Sequence, residues 1–225
     1  DGVSQGFDAY YRKTDTSVLS IGSFGAKSFG GGGRWGLPIA EDDYVNIGLS
    51  FDRTDLTVDS NSPIRYQDYV TRFGNISNTL ITNVGWQKDE RDSLLMTTKG
   101  VLRRASLELS LPGSTATYWR ASYQHQKFFP LDRKLTLAVN GELGLAKSYG
   151  NKELPFFKNY YAGGIGSVRG FDSGSLGPRD PSNGDPIGGT KRLVGNAELL
   201  FPVPGMGNYN SMRLSAFVDA GNVWG

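Results

Sequence analysis

The sequence predicts an all-β fold: an antiparallel transmembrane β-barrel wall of about nine strands. Period-two alternation of apolar and polar residues recurs about nine times along the chain. The polar faces carry charges near strand centres, at Asp8, Glu108, Glu142, Glu198 and Asp219. The connections also differ by side, short on one rim and mostly long on the other, which is the habit of outer-membrane barrels. Alternation by itself gives only a sheet, and the solvent side of a two-layer sandwich would also tolerate such polar faces.

In chain order, the first two segments are about 3–13 and 27–37. The clearest is 43–53, where Val45, Ile47, Leu49 and Phe51 share a face opposite Tyr44, Asn46, Gly48, Ser50 and Asp52. Segment 78–88 follows, and 100–111 then sets Ala105, Leu107, Leu109 and Leu111 against Arg104, Ser106, Glu108 and Ser110. Next come 117–129 and 134–146, the latter with Leu135, Leu137, Val139, Leu143 and Leu145 against Thr136, Asn140 and Glu142. After 193–201, the last segment, 212–224, sets Met212, Leu214, Ala216 and Val218 against Arg213, Ser215, Phe217 and Asp219. Connections on one rim cover about 38–42, 89–99, 130–133 and 202–211; those on the other cover about 14–26, 54–77, 112–116 and 147–192. Within the second long connection Pro63 predicts a short helix over 63–74. Leu37-Pro38, Phe129-Pro130 and Phe201-Pro202 predict strand ends, because proline cannot donate to the ladder. Aromatics at strand ends (Trp35, Tyr44, Trp86, Tyr118, Trp119, Phe128, Phe129, Phe201 and Trp224) predict interfacial girdles.

Composition agrees and excludes other classes. A formal net charge of +2 is too small for a nucleic-acid footprint, so no nucleic-acid partner is expected. The lack of cysteine excludes disulfides and thiolate metal sites. With 31 glycines and 12% aromatics, the chain suits strands and turns better than a helical bundle. No apolar run reaches the roughly 18 residues of a membrane helix, but a barrel strand needs only about 9–11 alternating ones. The chain opens directly in a strand pattern without a signal peptide, as a piece of a longer protein would. No repeat or linker divides it into domains.

Motifs for covalent chemistry are weak. Gly30–Gly33 lacks the Lys-Ser/Thr pair and helix of a phosphate loop, and reads as small residues in a strand. His125 is the only histidine and reads as a strand residue. Asp180–Asp185 lacks calcium-loop spacing and reads as a polar turn. Ser148, Ser167 and Ser175 have no paired base. No catalytic residue, metal or cofactor is expected. The most informative stretch is Tyr160–Phe171, where Arg169 stands in an apolar, glycine-rich loop. Such an arginine keeps its charge and needs a carboxylate if buried, which predicts a tied-down loop.

Asp1–Phe7, Tyr161–Gly164, Val168–Phe171, Leu176–Pro178, Ile187–Gly189 and Asp219–Trp224, in that order, resemble the BamA family. These are the central proteins of the β-barrel assembly machinery in Gram-negative outer membranes. The resemblance implies a sixteen-stranded barrel preceded by periplasmic POTRA domains. Residues 1–225 would be its fifth through thirteenth strands, a partial barrel domain without the POTRA repeats and the remaining strands. Residues 147–192 would be a long extracellular loop folded into the lumen. Val168, Arg169, Gly170 and Phe171 would latch it, with Glu198 and Asp219 as lumen carboxylate partners. The implied function is non-enzymatic insertion of β-barrel precursors through a lateral seam. The implied partners are unfolded outer-membrane protein precursors, accessory lipoproteins and outer-membrane lipids. Two alternatives stay open: a polypeptide transporter of the two-partner secretion class, and a soluble all-β binding domain.

Overall fold

The structure, a computed structural model, describes residues 2–16, 21–203 and 212–225. Period-two segments become strands wherever one face can be buried or covered. The strands are β1 (Ser4–Asp15), β2 (Gly25–Ala40), β3 (Asp43–Thr57), β4 (Ile76–Asp89), β5 (Gly100–Ser110), β6 (Tyr118–Pro130), β7 (Thr136–Ser148), β8 (Lys191–Pro202) and β9 (Arg213–Trp224). They form one sheet in the order β1-β2-β3-β4-β5-β6-β7-β8-β9, each hydrogen-bonded to its sequence neighbour. Every pairing is antiparallel. All nine expected strands are present among the described residues. Asp1 and most of the expected 202–211 connection lie outside them, as do residues 17–20 of the first long connection.

The polarity of the two faces is the reverse of a soluble sheet. Ile47, Leu49, Phe51, Leu107, Val139, Leu143 and Leu145 are exposed on one face. The opposite face carries Asp52, Glu108, Asn140, Glu142 and Glu198 and receives the long loop. A cavity of about 1220 Å³ opens there, with Asp8, Asp52, Glu108, Arg120 and Glu142 among its lining. At the rim of short connections, Arg213 of β9 donates to the Thr97 and Met96 carbonyls before β5, at 2.8 and 3.1 Å. In a flat sheet β5 and β9 would lie roughly 19 Å apart at about 4.8 Å per strand. The contact fits a sheet curled around its polar face.

Three local expectations need correction. Pro38 does not end its strand: β2 continues to Ala40 through a register shift between Pro38 and Ala40. An irregular pairing tolerates a residue with no N–H to give. Pro130 and Pro202 do close β6 and β8. Tyr118 and Phe128 do not join an interfacial girdle, because both are buried, Tyr118 completely. Tyr118 instead sends its hydroxyl to Glu108 on the polar face. The third correction is one of length: β2 and β3 extend beyond 27–37 and 43–53 on the long-loop side. There Ala26, Thr54 and Leu56 are covered rather than solvated, so pairing continues.

The predicted helix is α1 (Ile64–Phe73), opened by Pro63 and stopped at Gly74. It buries Tyr66 and Tyr69 against Phe24, Leu56, Phe156 and Ile187, forming a cap at the long-loop rim. Tyr66 stacks on Phe156 with ring centroids 4.1 Å apart. A second apolar cluster lies between the loop and the sheet: Leu154, Tyr160, Ala162 and Val168 pack on Tyr118, Ala146, Val194 and Val223. No described helix is long and apolar enough to cross a membrane.

Candidate functional site

The long connection between β7 and β8 crosses the polar face and returns. Paired bridges Tyr160–Gly189 and Ala162–Leu176 draw its two limbs together. Bonds from Ser167 N to the Gly164 carbonyl and from Ser175 N to the Asp172 carbonyl tighten the tip. Gly170 has φ 88°, a conformation costly for any side chain, and turns the backbone immediately after Arg169.

Parity on the last two strands supplies the acceptors. Asn196 pairs with Asp219 and Glu198 with Phe217 across the β8–β9 ladder, so the four side chains form one block on the polar face. Val168, buried to 2%, packs in the same cluster as Val194 and Val223 and delivers the next residue onto that block. Arg169 donates from Nε and Nη2 to the two Asp219 carboxylate oxygens, each at 2.6 Å. Its backbone N–H also reaches Asp219, at 2.9 Å. Nη1 donates to Glu198. The guanidinium lies over the Phe217 ring, 3.6 Å from its centroid. Asn196 Nδ2 holds the Ser167 carbonyl at 2.7 Å. Bonds to Asp219, then Glu198, raise the Arg169 pKa against the opposing effect of burial, so the guanidinium stays charged.

The structure therefore brings together Arg169, Glu198 and Asp219, with Val168 seated beneath. Gly170 supplies the turn, while Phe171 is 53% exposed and joins none of these contacts. Reading the residues did not single out Phe217, Asn196 or Ser167 as partners. Phe217 left one sign, as an aromatic on the otherwise polar face of its strand. The contacts of Asn196 and Ser167 depend on where the loop lands.

The chemistry here is ionic and structural. One fixed cation meets two carboxylates, and the serine nearest them, Ser167, accepts from Arg192 and has no base to activate it. Elsewhere His125 lies in β6, its Nδ1 3.3 Å from the Tyr123 hydroxyl. Gly30–Gly33 lies inside β2, and Asp180–Asp185 forms a polar turn closed by Asp180 N on the Asp185 carbonyl. No cluster of metal-ligating side chains occurs among the described residues.

The sequence matches the Omp85 superfamily domain over residues 1–225. The chain belongs to the Omp85 superfamily. This Omp85 domain is 40% identical over 238 aligned residues to the outer membrane protein assembly factor BamA of Neisseria meningitidis serogroup B. That alignment covers 100% of this chain and 30% of the relative. A SAM50-like protein of Schizosaccharomyces pombe is 32% identical over 144 residues, covering 61% of this chain and 30% of its own length. The crystal structure of BamA from Haemophilus ducreyi lacking POTRA domains 1–3 superposes with a TM-score of 0.92 at 29% identity. That superposition covers 100% of this chain and 47% of the other. The domain thus spans about three-tenths of the length of these curated relatives. The sheet is a segment of a BamA-like β-barrel.

Proposed function

We propose that this Omp85 domain is part of the barrel of an outer-membrane protein assembly factor. It supplies barrel wall and the loop that fixes the barrel's shape. The observation that carries the reading is the whole-chain likeness to a BamA, set on a sheet with an apolar outer face and a polar inner one. Residues 1–225 act as the partial barrel, and residues 147–192 as its inward-folded extracellular loop. Val168, Arg169 and Gly170 latch that loop to Glu198 and Asp219, with Phe171 completing the motif at the exposed edge.

The substrates are unfolded outer-membrane protein precursors, inserted into the outer membrane of a Gram-negative bacterium through a pairing-competent seam without ATP. Accessory lipoproteins and outer-membrane lipids are the remaining partners. The relative that matches the whole chain is named an outer membrane protein assembly factor, which favours insertion over two-partner secretion. The test is reconstitution of the full-length protein into lipid vesicles supplied with an unfolded β-barrel precursor. Insertion gives a folded, heat-shifted precursor in the bilayer, faster than in protein-free vesicles and without nucleotide. Precursor delivered soluble to the far side would favour the transporter, and no acceleration would overturn the reading.

A further inference from the structure

The Arg169 side chain is held by β8 and β9, through Glu198, Phe217 and Asp219, yet the limb of the loop that precedes it is equally buried. Tyr160, 5% exposed, is the centre of that second contact. Its hydroxyl donates to the Ala121 carbonyl of β6 at 2.7 Å, across 39 residues of sequence. One side of its ring lies on β7 at Gly144, where an added Cβ would sit 2.8 Å from the ring carbons. Another is covered by the Arg120 guanidinium, 4.1 Å from the ring centroid. Arg120 Nε is buried and makes no hydrogen bond, as stacking on a ring leaves it.

Two residues earlier, Lys158 forms a 2.7 Å ion pair with Glu108 of β5, which also accepts from the Tyr118 hydroxyl. Backbone bonds in both directions between Tyr160 and Gly189 tie the limb to the returning chain. None of these groups contacts Arg169, Glu198 or Asp219. We propose that Tyr160 is a second anchor of the loop, a ring wedged on Gly144 and capped by Arg120. It holds the 156–162 limb on β5–β7 independently of the Arg169 cluster on β8 and β9. Gly144 and Arg120 act as positioning residues for that ring. The inference rests on the loop-anchoring reading above, because both concern one loop, but it makes a separate demand.

Residues 1–225 lack cysteine, so a thiol introduced among them is unique there, and any cysteine elsewhere in the full-length protein is first replaced by serine. Ala162→Cys and Val168→Cys place buried reporters beside the two anchors, at 1% and 2% exposure in the parent residues. Maleimide labelling is measured in the full-length protein in membranes, with heat-modifiability verifying the folded barrel. Tyr160→Ala speeds labelling at 162 roughly tenfold or more and changes 168 less than about twofold. Arg169→Ala gives the opposite pattern. Tyr160→Phe retains most of the protection at 162, since the ring remains. Gly144→Ala speeds labelling at 162 when Tyr160 is present and adds nothing to Tyr160→Ala, because the clash requires the ring.

Unchanged labelling at 162 in Tyr160→Ala overturns the anchor. Equal exposure of both reporters overturns its independence, and an undiminished effect of Gly144→Ala without the ring overturns the wedge. If Tyr160→Ala prevents barrel formation, Tyr160→Phe and Gly144→Ala decide the matter with the same reporters. A failed Arg169 latch reads differently: Arg169→Ala would then leave 168 protected.

Discussion

Replacing Arg169 with Ala should free the tip of the long loop while leaving the rest of the barrel folded. The substitution removes the 2.6 Å bonds to both oxygens of Asp219, the bond to Glu198 and the stacking on Phe217. The Asp219 side chain is 2% exposed and keeps a bond from the backbone of residue 169, whereas Glu198, at 29%, can turn to water. Breaking a buried ion pair costs about 3–5 kcal/mol, and the surviving backbone bond argues for the lower end, about 3 kcal/mol. That amounts to on the order of a hundredfold in the local opening equilibrium. Hydrogen exchange reads it directly, because the amides of Ser167 and Ser175 donate within the tip. They should exchange about a hundredfold faster, while β5–β7 amides stay close to wild type. Arg169→Lys should fall between, since an ammonium keeps the charge but not the two-pronged geometry. If exchange at these two amides is unchanged in Arg169→Ala, the arginine does not hold the loop.

The carboxylates should not be equivalent: Asp219→Asn should open the tip more than Glu198→Gln, because Asp219 takes three bonds from Arg169 and is the more buried. Equal protease susceptibility around 160–176 in the two variants would contradict that ranking. The outward face should behave as a lipid contact. Val139→Arg should cost about 2–4 kcal/mol of folding free energy in bilayers if the site lies near the midplane. A urea titration in vesicles showing no loss would place that face elsewhere. The cap should loosen in alkali, because burial, with Glu153 adding to it, pushes the Tyr69 hydroxyl up to about 12. An unfolded tyrosine ionises near 10, so the contribution is complete below that value and is lost as pH rises through about 12. Tyrosinate absorbance tracking α1 exchange over that window checks the sign; release of the helix well below pH 10 would refute it.

The strands were legible because a half-covered strand must repeat every two residues, and the period needs only local sequence. The same period sets Glu198 between Ala197 and Leu199, and Asp219 between Val218 and Ala220, so both carboxylates face inward. Their pairing with Arg169 was not in the period. It came from resemblance, and the geometry places the three groups together. Tyr118 and Phe128 were misassigned for a related reason. An aromatic at a strand end looks the same from the sequence whether it meets a headgroup or is buried, as Tyr118 is beneath the long loop.

The sequence by itself determined the strand count, the antiparallel order, the inward face of the strand carboxylates and the charged loop that needed a partner. These follow from a two-residue repeat and from the cost of burying an unpaired cation. Only the tertiary structure decided where the loop lands. Tyr160 meets Ala121 and Arg169 meets Asp219 at separations of 39 and 50 residues. Such contacts depend on the curvature of the sheet and the path of the loop. No local pattern encodes either.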